Sequence, residues 1–292
     1  MDFRLYKKLM ALKHDLGLKN KPQVLNVVQL NLDFKNNLLL LNVAQNVALS
    51  KNLIIIARAG ISCSRGIPDF RSSNDLFEMI KQKYQGTFSL VRDLFDSNLY
   101  ITDEAVEAFY NFMGELNKLV LKAEPTATHL FIKKLADIKK LKRVYTQNID
   151  NLEKKAGLEF WNFENFKHCQ AQVVQLHGTL ANLQSFTQEY CDIFTKVEIS
   201  NCPECKERVI LYGDKHPKEL KIGEIAAYDK NKADCLIIMR TSLRIPEVKY
   251  LIKIFTEAVH DCNGYMIMVN ATNVVTKEWN RIIDYQIIGT CD

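Results

Sequence analysis

The sequence has no G-x-G-x-x-G among its 11 glycines, a single C-x-x-C among its 8 cysteines, and no apolar run that could span a bilayer. Each absence removes a class of protein. Without the glycine fingerprint, and without an acidic ribose-binding residue about twenty positions after it, an ordinary Rossmann oxidoreductase is a poor reading. The longest apolar stretches, such as Leu53 to Ala57 and Leu236 to Met239, are bounded within a few residues by Lys, Arg or Asp, far short of a membrane helix. Met1 to Asn20 is Lys-rich and lacks the apolar core and small-residue cleavage site of a secretory signal. The expectation is an intracellular protein whose thiols serve as core filler, metal ligands or catalytic groups rather than disulfides. Strong charge is missing too: 39 Lys plus Arg against 34 Asp plus Glu leave +5 over 292 residues, which is no nucleic-acid signature. No internal repeat, low-complexity tract or Pro/Gly/Ser linker divides the chain.

What is present is enough apolar material, 47% of residues, for a substantial core. Short β-branched and Leu-rich runs alternate with segments of helical period. Strands are expected at Leu53 to Ala57, Arg143 to Thr146, Val173 to Leu176, Cys235 to Met239 and Met266 to Val269, with weaker ones at Val209 to Tyr212 and Ile287 to Ile288. Glu104 to Lys122, Thr128 to Ala136, Asn151 to Ala156, Lys218 to Asp229 and Glu247 to His260 carry apolar residues three and four apart, the spacing of helices. The pattern reads as α/β, a Rossmann-like, mostly parallel sheet with helices on both faces. The sheet would be assembled from residues of about 36–75, 137–180 and 209–292. A helical insertion covers about 76–136, and a smaller, cysteine-bearing, zinc-ribbon-like module about 181–208.

The first strong strand leads into Arg58-Ala59-Gly60-Ile61-Ser62 and then Gly66-Ile67-Pro68-Asp69-Phe70-Arg71-Ser72. A small-residue turn after a strand exposes backbone N–H groups to an anion. The second run adds a rigid proline, a carboxylate, an aromatic plane and a cation. His177 follows an apolar strand and precedes Gly178, at the carboxyl edge where α/β sheets bind ligands, and imidazole is the side chain suited to proton transfer near neutral pH. His14, His129, His168, His216 and His260 are better read as structural.

These two runs resemble the cofactor loop of the sirtuins, the NAD-dependent protein lysine deacylases. Thr146-Gln147-Asn148-Ile149-Asp150-Asn151-Leu152 resembles their T-Q-N-I-D-x-L, Leu176-His177-Gly178 their L-H-G, and Thr241-Ser242-Leu243 the end of their G-T-S-L, all in the family's order. The wording of Phe70-Arg71-Ser72-Ser73, Leu211-Tyr212-Gly213-Asp214 and His216-Pro217 is similar to the fungal nuclear, histone-deacetylating branch. The resemblance implies that NAD and an acetylated lysine react to give nicotinamide, the free lysine and O-acetyl-ADP-ribose. It implies His177 as general base, Asn148 on the ribose and Asp150 on the nicotinamide amide. Ala59, Gly60, Asp69, Phe70, Arg71, Gln147, Ile149, Thr241, Ser242, Asn270 and Cys291 would complete the cofactor site. Without the resemblance, Gln147 to Asp150 is simply a favourable helix N-cap region, and Asn270 a turn former.

The implied partners are an acetylated protein, a histone in chromatin, with nuclear residence, no membrane and no sequence-specific nucleic acid. Zinc is implied as well, but only Cys202 and Cys205 form a ligand pair, because Ser185 and Gln188 stand where the family has the other two cysteines. Two further departures fall on the cofactor. Arg58 and Arg240 stand where the family has glycine, and if position 58 needed a positive φ the exchange would cost roughly 1–2 kcal/mol. A sirtuin-shaped protein that recognises acetyl-lysine or chromatin without turning over NAD is the alternative reading.

Overall fold

The structure, a computed structural model, describes residues 23–26, 34–69, 75–96, 102–162, 173–180 and 216–291. The central strands are the least polar segments of the chain. Strand β2 (Leu53–Ala57) and strand β5 (Cys235–Met239) are buried at every position, as strands covered on both faces must be. They sit in a seven-stranded, wholly parallel sheet with β1 (Gln23–Asn26), β3 (Leu141–Thr146), β4 (Val173–Gln175), β6 (Tyr265–Asn270) and β7 (Tyr285–Ile288). The spatial order is β1-β7-β6-β5-β2-β3-β4. From β2 the chain steps outward through β3 and β4, then returns to lay β5 on the other side of β2, with Ala57 opposite Met239. The loops leaving β2 and β5 therefore diverge at a topological switch point, where doubly wound sheets open a crevice.

Alternation along the strands feeds two cores. Ile54, Ile56, Leu236 and Ile238 face α6 (Glu219–Lys230) and α7 (Pro246–Asp261), packing on Phe255 and Ile252. Leu53, Ile55, Ile237 and Met239 face α1 (Phe34–Leu49) and α4 (Ala127–Asp137), through Val43, Ile132 and Leu135. Full burial of each such side chain contributes about 1.5–3 kcal/mol.

A third core lies over the strand ends. Helix α2 (Asp75–Lys83), a 3-10 turn at Val91–Phe95 and α3 (Asp103–Lys122) gather Phe77, Ile80, Phe109 and Phe112. Phe95 meets Phe112 edge to face at 5.8 Å. Thr102 starts α3 by accepting the Ala105 N–H at 3.3 Å, with Asp103 and Glu104 in the first turn, where carboxylates oppose the helix dipole. Ile67, Ile149, Leu152 and Leu180, from the strand-end loops, belong to this same core. The helical insertion thus roofs the crevice. Helix α4 does not: although it falls within the expected insertion span, its apolar face packs on the sheet.

The strands foreseen at 53–57 and 235–239 have those bounds, while β3, β6 and β7 extend one to two residues beyond the expected ends. Neither β1 nor α1 is foreshadowed by the pattern of residues. Four edge residues are too few to display alternation, and the leucines of α1 run consecutively from Leu38 to Leu41 instead of at helical spacing. The expected helix at Asn151 to Ala156 is a single turn, α5 (Leu152–Lys155). The expected strand Val209 to Tyr212 lies outside the described residues, as does the cysteine-bearing module.

Candidate active site

The site is assembled from the carboxyl ends of four neighbouring strands. Gln147 follows β3, hydrogen-bonded back to β2 through its N–H to the Ala57 carbonyl at 2.9 Å. His177 follows β4, whose register is fixed by Thr146 opposite Gln175 and by the Leu176 N–H donating to the Thr146 carbonyl at 2.8 Å. Arg58 is the first residue after β2 and Arg240 the first after β5.

His177 Nδ1 lies 3.2 Å from the Gln147 carbonyl oxygen. A carbonyl only accepts, so in the neutral ring Nδ1 carries the proton and Nε2 keeps a lone pair. Burial first, and then the charge of Arg58, lower the pKa of His177 to about 4. The imidazole is neutral at physiological pH, the form a general base needs. His216, read from the sequence as structural, is held by burial at about 4 as well, and its charge would act on His177.

Ser62 ties the β2 turn to the segment after β3. Its hydroxyl donates to Asp150 Oδ2 at 2.7 Å and accepts from Asn148 Nδ2 at 3.4 Å, while Asp150 Oδ1 accepts the Leu152 N–H at 3.0 Å. Ala59, Ile67, Asn148, Ile149, Asp150 and Leu180 line a common crevice. Beneath it, His129, Asp150 and Glu153 bring ligand atoms within 4.8 Å of one another. Burial, and then the neighbouring Asp150, raise Glu153 to about 8; burial raises Asp150 too.

Asn151 adopts φ 58°, and its side-chain oxygen accepts from Gln175 Nε2 at 2.8 Å and from the Thr179 hydroxyl at 3.0 Å. Asn151 thereby ties together the residues two before and two after His177. Neither Ser62 nor Asn151 was assigned a part from the sequence, although both lie inside the recognised motifs. Their function is visible only from partners 24 to 88 residues away.

The other expected residues are placed as follows. Thr241 is buried and Ser242 half-buried after β5. Asn270 closes β6, donating through Nδ2 to the Thr272 carbonyl at 3.2 Å, which is the turn-forming bond. The Cys291 carbonyl accepts from Thr128 at 2.6 Å, against α4. Asp69 is half-buried. Phe70, Arg71, Cys202 and Cys205 fall outside the described residues.

Position 58 corrects an expectation. Arg58 has φ −143° and ψ 172°, extended backbone that any residue adopts, so no left-handed penalty arises there. The strained position is Arg240, with φ 58°.

A family model described as the Sir2 family matches residues 58–247, about two thirds of the chain. The chain belongs to the Sir2 family. Relatives include the NAD-dependent histone deacetylase HST3 of Candida albicans, 35% identical over 84% of this chain and 58% of that protein. The Saccharomyces cerevisiae protein of the same name is 35% identical over 86% and 65%, and the NAD-dependent protein deacetylase hst4 of Schizosaccharomyces pombe 32% over 92% and 71%. The chain spans about three fifths of the length of the two HST3 proteins. A solved structure presented as "Structural Basis for the Mechanism and Regulation of Sir2 Enzymes" is similar at TM-score 0.60 and 25% identity, over 86% of this chain and 92% of the other. The structure "Sir2-p53 peptide-NAD+" shares the fold at TM-score 0.58 and 20% identity, over 86% and 92%.

For a Sir2 chain, the residues present fit the ribose and nicotinamide end of NAD. Both side-chain amide atoms of Gln147 and Oδ1 of Asn148 are buried without a hydrogen-bond partner among the described residues, and a buried amide is normally satisfied. At the diphosphate end the fit is conditional, because the Arg240 side chain lies against Gly60.

Proposed function

We propose that the protein is an NAD-dependent protein lysine deacetylase acting in the nucleus on an acetylated histone or similar acetylated chromatin protein. The names of its HST3 and hst4 relatives support the substrate class. The observation that carries the reading is the neutral His177, held by the Gln147 carbonyl next to the unsatisfied Gln147 amide and Asn148 Oδ1.

When bound, NAD would supply the ribose that takes the acetyl group as nicotinamide leaves, with one water consumed to release the lysine amine. The chain's own residues do the rest. Gln147 and Asn148 offer their open amide atoms to ribose hydroxyls, returning to each buried group the partner it lacks. Asp150, held by Ser62 and the Leu152 N–H, orients the carboxamide. His177 Nε2 accepts a proton from a ribose hydroxyl, and the Gln147 carbonyl stabilises the cationic ring by keeping its bond to Nδ1. Ile67, Ile149 and Leu180, anchored in the roof core, exclude water.

The test is incubation with NAD and an acetylated histone peptide, reading nicotinamide by chromatography and peptide mass by spectrometry. Both products are expected from the unmodified protein, with a loss of roughly 100-fold or more in His177→Ala. Equal rates in the two proteins would remove His177 from the chemistry. Absence of both products at saturating NAD would reject the activity.

A further inference from the structure

Arg58 and Arg240 leave adjacent strand ends because Ala57 pairs with Met239 at the switch point, Arg58 near enough to His177 for its charge to act there and Arg240 against Gly60. The backbone of Arg240 is fixed, and its side chain rests on Gly60. Its N–H donates to the Val269 carbonyl at 2.8 Å, its φ is 58°, and its Nε donates to the Gly60 carbonyl at 3.1 Å. A methyl group placed on Gly60 would lie 2.6 Å from Arg240 Nε and 2.7 Å from its Cβ. The space against which a phosphate would approach the backbone of Gly60 is therefore taken. Arg58, buried to 8% exposure, directs Nη1 to within 3.4 Å of the Ser242 hydroxyl.

A residue that merely sealed the crevice would have its guanidinium satisfied. In Arg240 one donor is left over: Nε is taken by the Gly60 carbonyl and the guanidinium lies beside the Cys63 thiol, but Nη1 is buried with no acceptor among the described residues, although burying a charged donor unpaired is costly. The missing acceptor is anionic, since two planar guanidinium forks beside a hydroxyl match the oxygens of a phosphate. A diphosphate, with two charges and several free oxygens, suits the pair better than a neutral sugar or base.

We propose that Arg58 and Arg240 hold the diphosphate of the dinucleotide through their side chains, with Ser242, in place of the backbone cradle that glycines would give. In the free protein Arg240 rests on Gly60. On binding, its guanidinium leaves the Gly60 carbonyl for the phosphates, so both arginines set dinucleotide affinity. This rests on the reading that the crevice takes NAD.

Calorimetry with ADP-ribose, which carries the diphosphate but undergoes no turnover, tests it on the unmodified protein and on Arg58→Gln, Arg240→Gln, Arg240→Lys and the double Arg58→Gly/Arg240→Gly variant. Measurements at about 50 and 500 mM salt separate charge from fit, and melting curves check folding. The expected result is binding by the unmodified protein, at least tenfold weaker binding in each Gln variant with a smaller salt dependence, and intermediate loss in Arg240→Lys. Unchanged affinity in the Gln variants overturns the proposal and leaves the dinucleotide reading standing. Tighter binding by the double Gly variant, or binding by it alone, overturns the proposal by making the arginines obstructions. Absence of binding by every protein tested, the unmodified one and the double Gly variant included, removes the dinucleotide reading and the proposal together.

Discussion

Replacing Asp229 with alanine is expected to destabilise the protein by about 3–5 kcal/mol, the cost of stranding one member of a buried ion pair. Asp229 is wholly buried and lies in α6, facing β3. It accepts Arg143 Nε at 2.8 Å, Arg143 Nη2 at 3.2 Å and the Tyr145 hydroxyl at 2.8 Å. Arg143 is itself 3% exposed, so water cannot solvate the guanidinium once the carboxylate is gone. The Tyr145 hydroxyl, whose pKa burial and then Asp229 push well above the ordinary value, also loses its acceptor. Against a total stability of about 5–15 kcal/mol, the loss corresponds to a melting point lower by on the order of 10 °C. Urea unfolding followed by circular dichroism measures it. The Arg143→Met/Asp229→Leu pair, which removes both charges, is expected to recover most of the loss, because an apolar pair of similar volume is close to neutral there. A single substitution costing under about 1 kcal/mol, or a double variant no more stable than the single, would refute the reasoning.

Gly264→Ala should unfold at clearly lower urea, because its added methyl would run into the Asp234 carbonyl oxygen and crowd Val259; an unchanged midpoint counts against the placement of that turn. His177 is expected to titrate near pH 4 in heteronuclear NMR. Arg58→Gln should raise that value without restoring the ordinary 6.5, since burial is the larger cause and remains; no movement would separate Arg58 from the imidazole. The lowered pKa of His177 means the unfolded chain binds the proton more readily, so its share of stability is complete above about pH 6.5 and disappears as pH falls through 4. Glu153 has the opposite sign. Raised to about 8 from an ordinary 4.5, it favours the fold below pH 4.5 and loses that contribution as pH rises through 8. Glu153→Gln should flatten the stability profile across that window, and a profile identical to that of the unmodified protein would contradict the shift.

The sequence by itself determined the strands whose residues must be apolar on both faces, because only a covered parallel sheet accommodates Leu53 to Ala57 and Cys235 to Met239. It also singled out His177, Asn148 and Asp150, through short contiguous motifs that resemble those of the sirtuins. The edge strand β1 left no such trace, since its pairing with β7 is decided by a partner more than 250 residues away. Which of the two arginines is strained was likewise unreadable, because φ depends on how each turn leaves its strand: extended at Arg58, left-handed at Arg240. Only the reversal of strand order between β2 and β5 sets those two cations at adjacent strand ends and drapes one across Gly60. Residue type fixed which charges exist; the crossover of the chain fixed which of them meet.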